Sequence, residues 1–292
     1  RLVDYFDHHG PNGTHVCLGF EQLDCNLLTL TRKFNHRGMP IPLVKIFAKQ
    51  VLTGLDYLHS DCSIIHTDLK PENILLMTQP DFSMYETPKT KEEIMAVFGT
   101  AFRLKVIDLG NACWTHKHFT DDVQTRQYRA PEVILGYAYT QAIDIWSMAC
   151  IIFELLTGDL LFRPHSGKYY EKNDGKGREK RDHWHVDHLA QITELLGKIP
   201  RPFALGGKHS DKYYNRRGEL RQIASDELKF WPLKEVLAQK YKFEPEEAEQ
   251  IANFLDPMLI VNPKLRANAK SCLRHEWMRS VDITDLNSVF PS

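Results

Sequence analysis

The order of elements in the sequence predicts an α+β protein that is mostly helical. Strand-like pieces gather at the start and helical patterns follow. A second observation is a run from about Gln141 to Thr157 that is apolar nearly all round, the mark of a helix buried on every side. A third is the Gly and Pro punctuation that separates the later helical segments.

Leu2 to Phe6 and His15 to Glu21 alternate like strands, and the turn-rich Gly10-Pro11-Asn12-Gly13 between them predicts a hairpin. From Leu43 onward Val44, Phe47, Val51, Leu55 and Leu58 recur at helical spacing, which predicts an amphipathic helix ending near Ser60-Asp61. In the 141–157 run Ile143, Ile145, Trp146, Met148, Ile151, Ile152, Phe153, Leu155 and Leu156 leave no polar face, so this helix should be the central post. Further helices are expected at Leu189 to Leu196, Leu233 to Lys240, Pro245 to Leu255 and Ala269 to Trp277. Gln79 to Thr100 and Lys168 to Arg181 are polar or charged and carry Pro or Gly, and they read as exposed insertions. No internal repeat is found.

Over 292 residues, 37 Lys and Arg face 38 Asp and Glu, a net charge of −1. Nothing global draws the chain to nucleic acid or to an acidic membrane, and neither is expected as a direct partner. No uncharged apolar run is long enough to span a bilayer, the densest being Met148 to Leu156 with Glu154 inside it. The six cysteines are scattered without C-x-x-C or zinc spacing and read as thiols. The chain opens at Arg1 and passes straight into a strand, so it is expected to begin inside a longer polypeptide.

Three motifs carry the chemistry. His66-Thr67-Asp68-Leu69-Lys70-Pro71-Glu72-Asn73 fits H-x-D-x-x-x-x-N, the frame of a protein-kinase catalytic loop with Thr67 in the usual Arg position. Val106-Ile107-Asp108-Leu109-Gly110 delivers an Asp from an apolar strand into a Gly turn, and Ala130-Pro131-Glu132 closes the segment that follows. Alone, an Asp and an Asn five residues apart are more often turn caps than a site. Three motifs in this order reverse that judgement. Phosphoryl transfer demands mainly positioning and charge neutralisation. Asp108 and Asn73 supply the hard oxygens that suit Mg²⁺, Asp68 is placed to accept the hydroxyl proton of the acceptor, and Lys70 is placed to pair with the phosphoryl group. Asp144 at the head of the central helix reads as its N-cap, and resemblance to protein kinases adds a role in bracing the catalytic loop from below, which the first role does not preclude.

The stretch Gln124 to Gly136 and the extra segment between Leu196 and Leu237 resemble the CMGC group of Ser/Thr protein kinases. Within that group the chain resembles the SR-protein-specific kinases over nearly its whole length. The marks are His66-Thr67-Asp68, Asp108-Leu109-Gly110-Asn111-Ala112-Cys113-Trp114, Phe153 to Asp159, Asp187-His188-Leu189-Ala190 and Lys229 to Leu233. The E-H-L-A-M-M-E-R signature of the neighbouring LAMMER kinases is absent at Asp187 to Glu194.

The resemblance implies a kinase-like large lobe over 24–292 with a CMGC insert, preceded at 1–23 by a remnant of the small-lobe sheet and the hinge. It implies ATP and Mg²⁺ as cofactors, with Phe20 as gatekeeper and Phe20, Glu21, Gln22 and Leu23 meeting adenine. It implies a structural ion pair between Glu132 and Arg266, and activity without activation-loop phosphorylation because Thr67 replaces Arg. Substrates would be Arg/Ser-rich splicing factors docked on Asp159, Asp187, Glu194 and Lys240, although the basic run 168–181 departs from an acidic groove. A monomer of cytoplasm and nucleus is expected. The 292 residues hold no Gly-rich loop, strand Lys or partner Glu ahead of Phe20. The isolated chain is therefore expected to bind ATP weakly, with full activity in the complete gene product. The competing class is a non-catalytic, kinase-like module that binds Arg-rich partners.

Overall fold

The computed structural model describes residues 1–99, 102–165 and 180–279. It is an α+β structure, mostly helical, with three small two-stranded antiparallel sheets. Strands β1 (Leu2–Gly10) and β2 (Gly13–Phe20) form the opening hairpin, turning where Gly13 adopts φ 110°. Both strands run longer than their alternation predicts. Both are also largely exposed, so polar residues such as His8, His9 and His15 sit in them as readily as apolar ones.

Helix α1 (Leu27–Lys33) starts where the Asn26 side chain accepts from the Thr29 amide. Helix α2 (Ile41–Ser60) buries the predicted stripe of Leu43, Val44, Phe47, Val51 and Leu55. Next come β3 (Ile64–Ile65), β4 (Ile74–Leu76), α3 (Lys91–Phe98), β5 (Leu104–Val106) and β6 (Cys113–Trp114). Strand β3 pairs with β6 and β4 with β5. Beyond a short α4 (Pro131–Leu135), helix α5 (Ala142–Thr157) has every residue buried and forms the post of the fold.

The remainder is helical: α6 (Lys180–Leu196), α7 (Arg201–Gly206), α8 (Ser210–Tyr213), α9 (Leu233–Glu235), α10 (Pro245–Leu255), α11 (Ala269–Arg274) and α12 (Glu276–Arg279). The segment expected at Leu233 to Lys240 is α9 continued by a π-helical turn at Val236–Lys240. The one expected at Ala269 to Trp277 is divided at His275, whose extended backbone ends α11.

One expectation is corrected. Gln79 to Thr100 is no plain exposed loop, because it contains α3, closed by a capping box between Thr90 and Glu93. Ile94, Val97 and Phe98 are buried, and the Phe98 ring lies 5.9 Å from Phe47, 5.8 Å from Phe82 and 5.3 Å from Phe102. These aromatics bury the insertion against α2. The other insertion and the chain's end lie, for residues 168–179 and 280–292, outside the described residues, as do Thr100 and Ala101. Among the described residues no helix is long and apolar enough to cross a membrane, and all six cysteines are free.

Candidate active site

Helix α5 builds the floor of the site. Asp144 is buried in its first turn, where the helix dipole favours a carboxylate; the cap position itself belongs to Gln141. The Asp144 carboxylate accepts from the His66 amide at 2.9 Å, the Thr67 amide at 3.0 Å and the His59 ring Nε2 at 2.9 Å. Of the two readings of Asp144, its contacts are those of a brace. They fix the loop that leaves β3 in a conformation that places Thr67 at φ 70°, directly before Asp68.

Asp68 and its neighbours form a tight cluster. One carboxylate oxygen accepts from Lys70 Nζ at 2.6 Å, and the other from the Thr125 hydroxyl at 2.6 Å and the Thr125 amide at 3.2 Å. The Asn73 side-chain amide donates to the Asp68 carbonyl at 2.9 Å, and the Asn73 carbonyl accepts from the Ile107 amide at 2.9 Å. Strand pairing of Ile74 with Val106 continues this contact, so Asn73 lies beside the residue that precedes Asp108. Asp68, Asn73 and Asp108, at the ends of three different segments, thus meet in one place.

These residues fit Mg²⁺ and a nucleotide phosphate. Asp108 is exposed at φ 66°, and its carboxylate has no hydrogen-bond or ion-pair partner among the described residues. The Asn73 amide nitrogen is committed to Asp68, which leaves its oxygen to serve as a metal ligand. Among the described residues no group of three His, Cys, Asp or Glu is placed to hold a metal by itself. An ion here would therefore rest on one carboxylate, one amide oxygen and the phosphates, the sparse ligand set that Mg²⁺ takes at such sites.

The segment 120–130 is tied down behind Thr125. Gln124, buried at φ 66°, donates to Tyr128 O at 3.1 Å, Ile143 O at 2.9 Å and Ser147 Oγ at 2.8 Å, and accepts from the Ala130 amide at 2.9 Å. Tyr128 donates to Glu154 at 2.7 Å; burial pushes the Glu154 carboxyl up from its ordinary range, against this hydrogen bond, and nearby Glu72 adds to the rise. Below, Arg266 makes a two-pronged ion pair with Glu132 at 2.6 and 2.8 Å, with both side chains fully buried. The contacts of Thr125 and Gln124 escaped the sequence reading. The motif frame marks residues by order, whereas these two act across a loop that only the fold closes.

At the other predicted positions the geometry is mixed. Phe20 is 63 % exposed, Gln22 is exposed, and Leu23 is half-buried. Glu21 pairs with Lys105 of β5, and that bond holds its carboxyl down at about 2. Just beyond, the Asp24 amide donates to Leu76 O at 2.8 Å and Leu76 N to Cys25 O at 3.0 Å, which joins this stretch to β4.

Of the four docking positions, Asp159 and Lys240 touch at 3.4 Å and share the Tyr241 hydroxyl. Asp187 and Glu194 stand two turns apart on one face of α6. Glu194 accepts from the Lys229 amide at 3.4 Å. Asp187 is only 2 % exposed and accepts from the His165 amide at 2.7 Å and from Gln191 at 2.8 Å, so that oxygen serves the chain's own backbone.

Residues 1–278 match the protein kinase domain family. The chain is 45 % identical to the serine/threonine-protein kinase SRPK of Physarum polycephalum, over 96 % of the chain and 71 % of that protein. It is 39 % identical to protein kinase dsk1 of Schizosaccharomyces pombe, over 96 % of the chain and 68 % of that protein. Against SRSF protein kinase 3 of Mus musculus the identity is 33 %, over 95 % of the chain and 74 % of the relative.

Proposed function

The chain belongs to the protein kinase family, on the branch of the SR-protein-specific kinases, and from that premise we propose that it moves the γ-phosphoryl group of ATP to serines of Arg/Ser-rich proteins. The observation that carries the proposal is the junction of Asp68, Lys70, Asn73 and Asp108 in one cluster.

In this reading Asp68 orients the acceptor hydroxyl and takes up its proton, using the oxygen that Thr125 now occupies. Lys70, already 2.6 Å from Asp68, meets the phosphoryl oxygens. Asp108 and Asn73 would hold Mg²⁺, which when bound neutralises the developing phosphate charge. Phe20, Glu21, Gln22 and Leu23 flank β4 and β5 and would receive the adenine. Guanidinium groups of the substrate would pair with Asp159 and Glu194, both reachable from solvent, while Asp187 supports the groove from beneath through the backbone near His165. Residence in cytoplasm and nucleus goes with such substrates.

The test uses the full-length gene product that contains these residues, with labelled ATP, Mg²⁺ and an Arg/Ser-repeat peptide. Phosphate transfer should occur and should fall about 10²- to 10⁴-fold in Asp68→Asn, the usual worth of a positioned proton acceptor. Undiminished transfer in Asp68→Asn would refute the assignment. Peptide binding by the wild type without any transfer would support a binding module instead.

A further inference from the structure

Thr67 occupies a backbone position that suits it poorly. A β-branched residue at φ 70° is a steric outlier, and Gly, Asn or Asp would sit there at lower cost. Its side chain nevertheless finds one specific partner. The hydroxyl, on a residue 1 % exposed, donates to the Asn111 carbonyl at 2.8 Å.

The position of that carbonyl gives the contact its meaning. The turn that begins with Asp108 runs through Leu109–Asn111 and feeds β6. Its near end is held at the Ile107 carbonyl, which accepts from His66 Nε2 at 2.9 Å. The other ring nitrogen of His66 accepts from the Asp68 amide at 3.3 Å, so one tautomer satisfies both contacts. The far end is held at the Asn111 carbonyl by Thr67. Asp108 therefore sits between two carbonyls stapled by the two residues that precede Asp68. The amides of those same two residues are bound by the single carboxylate of Asp144.

We propose that Thr67 is a positioning residue whose hydroxyl clamps the far end of the Asp108 turn to the catalytic loop and so sets Asp108 against Asp68 for Mg²⁺. The inference rests on the kinase reading. The clamp acts by geometry alone: Asp108 has no partner of its own among the described residues, so its placement depends on the turn that carries it. Without the hydroxyl, the Asn111 carbonyl loses this partner, and the turn is held by its Ile107 anchor and by the pairing of β6 with β3 beyond it.

The experiment compares Thr67→Val, which keeps the branched shape and loses the hydroxyl, with Thr67→Ser, which keeps the hydroxyl, in the full-length gene product. Two readouts are taken: amide hydrogen exchange over residues 109–113 without nucleotide, and the Mg²⁺ concentration that half-saturates phosphate transfer. Thr67→Val should exchange about fivefold faster there and need about fivefold more Mg²⁺, the worth of one hydrogen bond, while Thr67→Ser stays near the wild type. Should Thr67→Val fail to fold, Thr67→Ala, which also relieves the branched strain, takes its place with the same expectation. A hydroxyl-free variant that exchanges and titrates like Thr67→Ser would overturn the inference. A wild type without phosphate transfer would sink the kinase reading instead, and the exchange comparison would still decide whether the clamp exists.

Discussion

Changing Glu132 to glutamine would leave Arg266 with a full positive charge in a fully buried place. In the native structure that charge is met by both Glu132 oxygens, and the guanidinium also donates to Ala142 O at 2.9 Å, Ile260 O at 2.8 Å and Val261 O at 3.2 Å. Breaking a buried pair by removing one partner costs about 3–5 kcal/mol, because the remaining ion is uncompensated. The three carbonyls, and the Trp146 ring 5.0 Å from the guanidinium, stay in place in Glu132→Gln and put the expected loss nearer 3 than 5 kcal/mol. In a domain of this size each kcal/mol shifts the melting temperature by about 2 °C, so a fall of about 6 °C is expected. Arg266→Met should be worse, since it strands the Glu132 charge and frees three carbonyls together. Urea unfolding of the two single variants and the double variant closes the cycle, and the double should cost clearly less than the sum of the singles. A loss below about 1 kcal/mol in Glu132→Gln, or strict additivity in the cycle, would refute the reasoning.

Two further outcomes follow from groups outside the catalytic cluster. Burial pushes the His188 ring down from 6.5 to about 3, with smaller contributions from His185, Arg129 and Arg126; the unfolded chain then takes up a proton below pH 6.5 that the folded chain refuses. Stability is whole above pH 6.5 and falls by up to about 1.4 kcal/mol per pH unit down to 3, so wild type should lose more than His188→Leu between pH 7.5 and 5.5 in urea titrations, and parallel losses would count against it. Phe98→Ala should cost about 3–5 kcal/mol by the same titration, as for a fully packed core ring, whereas a cost under 1 would mean that α3 is only loosely laid on α2.

Long periodic segments are legible in the sequence because their apolar stripes are wide: α2, α5 and α10 begin and end within two residues of where the pattern places them. Helix α3 is not, since its partner Phe47 lies far off in sequence and a polar neighbourhood hides its three buried residues. Strands β3 and β6 are two residues each, too short for any alternation to show. In the site, Asp68, Asn73 and Asp108 were legible because their spacing is dictated by chemistry that needs oxygens on a turn. Asp187 misleads for the opposite reason: a charged side chain reads as surface, yet this one is buried and accepts from the backbone amide of His165.

The same distinction explains how the cluster holds its shape. The readable residues are the ones whose side chains the chemistry needs, whereas the unreadable contacts, from Thr67 to Asn111 and from Gln124 to α5, run from a side chain to a backbone carbonyl of a segment remote in sequence. Three of the residues at φ near 66–70°, Thr67, Asp108 and Gln124, fall in or beside this cluster. Each is unfavourable alone and persists only where surrounding bonds over-determine it. Asp144 and α5 supply that surplus for Thr67 and Gln124, so the rigidity of the central helix is what permits strained backbone at the mouth of the site.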